Sequence, residues 1–290
     1  MSKMNSKHQI NVLHLFDMAG GSSIQSRFWK KFNLGESHLL IHEKPQKNTV
    51  VEYYKEAKTL TRFRDVVKEG LRRCKKDDVD IIWIHQAEIV VPIFKLLTKK
   101  KVVLSYQGSD INEYRRSKNP IRILCRSMAD LIIYNQKDHL KKIITIRNVR
   151  KEYVINAVDT DIFYPMNKPK NGTVAFISDN LDRKKTLELL KKFEDLTIID
   201  RNDGVIPYNE MPKILNKYEL MVDLKVTNFG LLVPTLSKIA LQSLACGLKV
   251  YTFQNEMKIG LPDKHKPENV MNKLHRLFYE ILDNQIISEK

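Results

Sequence analysis

Tyr153-Val154-Ile155-Asn156-Ala157-Val158-Asp159-Thr160-Asp161-Ile162-Phe163-Tyr164-Pro165 decides how this chain is divided. It closes one series of short apolar runs alternating with helical patterns, and a second series opens directly after it. Ahead of it, strands are expected over 10–16, 39–42, 79–85, 102–106, 130–134 and 153–156, each a short apolar run bounded by turn residues. The clearest helix is expected over 55–76. There Leu60, Phe63, Val67, Leu71 and Cys74 recur at helical spacing, while Lys58, Arg62, Lys68, Arg72 and Arg73 fill the other positions. Such a helix lays its apolar stripe on a sheet and shows a basic face to solvent. Beyond Pro165 a polar connector, 166–171, leads to strands over 173–177, 197–200, 220–224 and 249–253. Helices are expected over 182–192, 209–216 and 235–246, and a last amphipathic one over 269–282. Strand–helix alternation predicts an α/β chain whose parallel sheets are covered on both faces. Two Rossmann-like domains follow, 1–165 and 166–290, with the last helix able to pack back toward the first. Ligands of such sheets sit at the carboxyl ends of the strands.

A chain of 290 residues is long enough for one large core or two moderate ones. No apolar run approaches the roughly 20 residues of a membrane span, and the polar start lacks a signal-peptide core. Cys74, Cys125 and Cys246 stand far apart without metal-ligand spacing and read as reduced, buried thiols of a cytoplasmic protein. Charge is uneven. Residues 1–165 hold 31 lysines and arginines against 18 acids, a net of +13; residues 166–290 hold 19 against 16, a net of +3. That asymmetry suits an anionic partner for the first half: nucleic acid, an acidic membrane surface or a phosphorylated substrate. A lysine-rich proteome would give the same balance without such a partner.

After the first strand, Ala19-Gly20-Gly21-Ser22-Ser23 opens a helix. Two glycines allow close backbone approach and free helix N–H groups attract anions, but the dinucleotide fingerprint is absent. Asp78-Val79-Asp80 and Asp159-Thr160-Asp161 read D-x-D, yet neither lies in a metal-binding context, and no metal or other cofactor is expected. No Ser-His-Asp set, zinc spacing or Walker loop is present. Nucleic-acid binding has only the charge in its favour, lacking basic residues interleaved with aromatics.

The quoted stretch resembles the hinge of group 1 glycosyltransferases of the GT-B fold. The glycine loop with Gly20 and Gly21 matches the family's loop after the first strand. The segment 80–85 resembles its "DvvHvH" strand, and Val102-Val103-Leu104-Ser105-Tyr106-Gln107-Gly108-Ser109-Asp110 its "vvltvHGSD". Ala129-Asp130-Leu131-Ile132-Ile133 resembles the strand leading to the hinge. The family's donor-contacting histidine is Gln107 here; glutamine can hydrogen-bond a sugar hydroxyl but cannot carry a proton as imidazole does. Asp110 is retained as a ligand for sugar hydroxyls or a helix cap. In the second half, 176–185 lines up with "vGRLvpeKG": Ser178 replaces the glycine, Asp179 the arginine, and Lys184 keeps the lysine that holds the donor diphosphate. With Asp182 as N-cap, the Lys184 charge and the helix N-terminus address one region. Leu241-Gln242-Ser243-Leu244-Ala245-Cys246-Gly247 resembles "lEAmACG". Gln242 stands where a glutamate holds the donor ribose, and Pro234 where its acidic partner stands. Between them Thr235, Ser237 and Lys238 could cradle a phosphate at a helix N-terminus, with Lys238 and Gln242 on one side of that helix.

The resemblance implies two domains facing across a cleft, with a nucleoside-diphosphate sugar on the second. It implies transfer with retention to a glycan or lipid acceptor on the first, and no metal. Gln107 and Asp110 would act at the sugar; Gly20, Gly21, Lys184, Thr235, Ser237, Lys238 and Gln242 would hold donor and phosphate. The basic first half then fits peripheral attachment to the inner face of an anionic membrane. The replacements at Gln107, Asp179, Pro234 and Gln242 equally fit a non-catalytic relative that kept the fold and lost the donor site.

Overall fold

The structure is a computed structural model. It describes residues 8–17, 20–42, 57–106, 118–167, 170–177, 182–204, 206–226, 232 and 235–288. The chain forms two compact units. The first takes the described residues up to Ala157 together with the last helix, Pro267–Ser288; the second runs from Val158 to Lys266. The division thus falls inside the hinge stretch, at Ala157.

In the first unit seven parallel strands form one sheet: β1 (Val12–Leu15), β2 (Ser37–His42), β3 (Lys58–Leu60), β4 (Ile81–His85), β5 (Lys101–Tyr106), β6 (Leu131–Tyr134) and β7 (Arg150–Tyr153), in the order β3-β2-β1-β4-β5-β6-β7. Side chains alternate across the pleat, and both faces are apolar. Leu13, Leu15, Ile82, Ile84, Val102 and Leu104 point to the face that also holds Val66 and Phe94, from α2 (Phe63–Lys76) and α3 (Val91–Thr98). Val12, Ile81, Trp83 and Val103 point to the other face. They meet Phe28 and Trp29 of α1 (Gly21–Lys31) and Leu274 and Phe278 of the last helix. The Trp29 ring lies 5.4 Å from that of Phe278, and its indole N–H donates to the Ile10 carbonyl at 2.8 Å. Only glycine closes the turn from α1 to β2: Gly35 has φ +138°, and a Cβ there would lie 2.1 Å from the Ile10 carbonyl oxygen.

The second unit has five strands, β8 (Thr173–Ile177), β9 (Leu196–Asp200), β10 (Leu220–Asp223), β11 (Lys249–Thr252) and the short antiparallel β12 (Met257–Lys258), ordered β12-β11-β10-β8-β9. α5 (Arg183–Leu190), α6 (Met211–Leu215) and α7 (Lys238–Ala245) connect them; α4 (Pro120–Ser127) lies in the first unit. The Ala245-Cys246-Gly247 segment has a local explanation as a helix stop. Gly247 takes φ 81° beyond α7, and its N–H and that of Leu248 donate back to Leu244 and Ser243. Lys170 Nζ donates to the Cys246 carbonyl at 2.6 Å, setting a cation at the negative end of the helix. All three cysteines are free and buried, and burial pushes the Cys74 thiol up to about 11 and that of Cys246 to about 12.

Candidate functional site

In the second unit the chain runs outward from β8 to β9, then crosses back to β10 on the other side. The β8–β10 pair is therefore the switch point, beyond whose carboxyl ends ligands of open parallel sheets bind. Two helix N-termini are tied to the end of β10. Asp182 caps α5 by accepting from the Lys185 N–H at 3.1 Å, and its own N–H donates to the Val226 carbonyl at 2.9 Å. The Val226 N–H in turn donates to Thr186 Oγ1 at 3.2 Å. On the neighbouring helix, Ser237 caps α7 by accepting from the Ala240 N–H, while its N–H and hydroxyl donate to the Asp223 carboxylate at 2.8 and 2.7 Å. Lys225 Nζ lies 3.3 Å from the same carboxylate, and both side chains are buried.

Around these termini stand the residues that the sequence brings forward. Lys184 is exposed in the first turn of α5, one residue after Arg183, whose Nε donates to Asp200 at 2.7 Å. Thr235 is exposed just ahead of α7 and Lys238 is exposed at its first residue, with the ammonium 6.0 Å from the Tyr208 ring centroid. Gln242, one turn on, is buried with 6% of its surface accessible. Ser237, and not Thr235, is the N-cap, so its hydroxyl and N–H are taken by Asp223. Lys184, Thr235, Lys238 and Gln242 belong to the second unit and Gly20 and Gly21 to the first. Gln107, Asp110, Asp179 and Pro234 lie outside the described residues.

The first unit has its own switch point, between β1 and β4. Gly20, at φ 74°, precedes α1, and the Asp17 carboxylate accepts from the N–H groups of Ser22 and Ser23 at 3.1 and 3.2 Å. The helix terminus behind the glycine loop thus faces a carboxylate of its own chain. Two bulky residues, Phe16 (φ 67°) and Gln86 (φ 64°), hold left-handed backbone directly after β1 and β4. Such strain persists where surrounding structure imposes it and clusters at functional loops.

Beneath them lies a polar row that the sequence reading did not bring forward. His14 Nδ1 is 3.1 Å from His85 Nε2, and His85 Nδ1 is 2.9 Å from Ser105 Oγ. The three side chains come from adjacent strands, with His85 opposite Ser105 and His14 opposite Trp83, two residues before His85; all three are buried, and the two imidazoles stack at 5.4 Å. Burial holds the His85 imidazole down at about 3. Burial and then the His85 neighbour hold His14 well below the usual histidine range. The only sequence signal is a histidine at an inward position of each apolar strand. Among the described residues no group of three or more His, Cys, Asp or Glu side chains could hold a metal ion, and no helix is long and apolar enough to cross a membrane.

No family model matches the chain, and no curated protein matches it. Solved structures do. HepE of Anabaena, in complex with UDP and glucose, superposes with a TM-score of 0.56 at 12% identity over 91% of this chain and 89% of that one. The pneumococcal O-GlcNAc transferase GtfA, in complex with UDP and GlcNAc, gives 0.55 at 6% identity over 96% of each chain. The UDP-GlcNAc 2-epimerase of Neisseria meningitidis, bound to UDP-GlcNAc, gives 0.50 at 11% identity over 94% of each. At such identities the likeness is one of architecture, and with two Rossmann-like units of parallel sheet in tandem the chain has the GT-B fold.

Proposed function

We propose that this protein is a glycosyltransferase that draws its sugar from a nucleoside-diphosphate donor held by the second unit. One observation carries the reading: the N-termini of α5 and α7 are both fastened to the carboxyl end of β10, beside the exposed Lys184, Thr235 and Lys238. Two helix termini and two ammonium groups make a strongly anion-attracting corner, and a diphosphate leaving group needs such a corner as its charge develops. Lys184 takes the diphosphate and Gln242 the ribose hydroxyls, an amide both donating and accepting there. Gln107 and Asp110 address the sugar. Transfer proceeds with retention and without a metal, to a glycan or lipid acceptor held by the first unit at an anionic membrane surface. UDP is the first nucleotide to try, because HepE and GtfA were solved with it.

A second reading has one observation in its favour. The Asp223 carboxylate already sits on the α7 terminus, where an internal anion repels an external one. A binding protein that kept the fold without the chemistry would tolerate that. Calorimetric titration with UDP, GDP and ADP separates the two. The glycosyltransferase reading expects micromolar binding of one nucleotide, weakened at least tenfold, about 1.4 kcal/mol, by Lys184→Ala. Binding of none assigns the chain to the second reading.

A further inference from the structure

We propose that the face of the first unit built by α3, α4 and the segment 137–146 docks on an anionic lipid bilayer. This deepens the membrane-side reading above but rests on surface geometry, so lipid binding and nucleotide binding can fail separately.

The observation is an inverted helix, α4, beside a helix, α3, that is apolar on its outer side as well as its inner one. On α4 the buried residues are Cys125, Arg126 and Ser127, whereas Ile121 and Leu124 are 67% and 54% exposed. Its arginines point inward to one buried carboxylate: Arg122 reaches Glu88 at 2.8 Å, and the fully buried Arg126 lies 3.8 Å from it. On α3 the lone cation, Lys95, turns back to Asp130 at 2.6 Å, while Leu96 and Leu97 are 70% and 62% exposed. Ile146 extends the face from the end of α4, where its N–H donates to Ser127 Oγ at 2.7 Å, and is 72% exposed. A helix packed for solvent alone places its apolar stripe inside and its charges outside. Here α4 does the reverse, and α3 buries Val91 and Phe94 yet also turns Leu96 and Leu97 outward; together they leave an aliphatic surface on the order of several hundred Å², the size that marks an interaction site.

The rim identifies the occupant. Over 88–101 and 118–147 the chain has eleven lysines and arginines against three acids, Glu88, Asp130 and Asp138. Glu88 and Asp130 face inward, and Asp138 is paired with Lys142 at 2.9 Å. Lys99 directly follows α3, and Lys137 and Lys141 lie in the segment 137–146; all three are exposed. Exposed aliphatic side chains on segments with an excess of exposed lysine match the boundary between acyl chains and anionic headgroups. A second copy would bring two like-charged rims together across a two-fold axis. A protein partner would be expected to meet aromatic anchors, and the exposed face described here is aliphatic.

The test is co-sedimentation of the full chain with vesicles of phosphatidylglycerol and phosphatidylcholine in equal parts, and with phosphatidylcholine alone. Binding to the mixed vesicles is expected. It should fall at least tenfold in the Leu96→Ser, Leu97→Ser, Leu124→Ser triple variant and several-fold in Lys137→Glu, Lys141→Glu. Ile259→Ser, on an exposed side chain of the second unit, should bind as the wild type does. The triple variant should keep its thermal midpoint and its UDP titration, whatever the latter is. Absence of binding to mixed vesicles overturns the proposal, as does binding that the triple substitution leaves unchanged. A wild-type dimer dissolved by the triple substitution overturns it too, by assigning the face to a second copy.

Discussion

Asp223→Ala will lower the stability of the second unit by roughly 3–5 kcal/mol, the usual effect of removing one partner of a buried charge pair. Asp223 ends β10, accepts both the N–H and the hydroxyl of Ser237, and lies 3.3 Å from the ammonium of Lys225. Deleting the carboxylate leaves Lys225 buried and unpaired and frees Ser237, which anchors the start of α7. The two defects share one site and will not add as independent losses. Lys225→Met in the same background should therefore recover a large part of the stability, because the stranded charge goes with it. Urea unfolding followed by circular dichroism measures both; the two compact units call for a fit with two transitions. A loss below 1 kcal/mol for Asp223→Ala would show that the α7 terminus does not depend on this carboxylate.

Acid will weaken the first unit well before its carboxylates titrate. His14 and His85 are kept neutral by burial, whereas in the unfolded chain each protonates near pH 6.5. Below that pH the unfolded state binds protons that the folded state refuses, so stability present at pH 7 is lost as pH falls. The loss continues toward about 3, where the folded His85 itself takes up a proton. Between pH 7 and pH 5 His85 alone removes about 2 kcal/mol, and His14 acts in the same direction. Asp17 faces His14 and opposes the effect, while His38 and Lys30 add to it. Glu69, held at about 2 first by its hydrogen bond with Arg72, loses stability only below the ordinary carboxylate range, so the window above pH 5 belongs to histidine. His14→Asn should flatten the slope of stability against pH there, leaving the contributions of His85 and of His38, whose imidazole burial also lowers. An unchanged slope would mean that His14 is not the buried base its surroundings make it.

Most of the scaffold was legible because apolar runs and turn residues announce central strands. The strand Thr173–Ile177 falls where the sequence places it, and Asp182 caps its helix as expected. The differences lie at edges and caps. The strand expected over 153–156 is Arg150–Tyr153, an edge strand whose Arg150-Lys151-Glu152 segment hides the apolar signal, as charged edges do. The helix expected from residue 55 begins at Phe63, because Lys58–Leu60 pairs with β2 and takes Leu60 out of the helical stripe. The helix expected from Thr235 starts at Lys238 because Ser237 is the cap. The site was less legible for one reason: its decisive partners are distant in the chain. Asp223 reaches Ser237 across 14 positions, Arg122 reaches Glu88 across 34, and His14 meets His85 across 71. Spacing within one element cannot announce such pairs.

The central claim is that a nucleotide binds at the carboxyl end of β10 in the second unit. Hydrogen exchange of the full chain, with and without saturating UDP, tests it most directly. The account predicts added protection in the first turns of α5 and α7, around Lys184 and Lys238, with no change in α3 and α4. Protection confined to the first unit, or none anywhere, would contradict it.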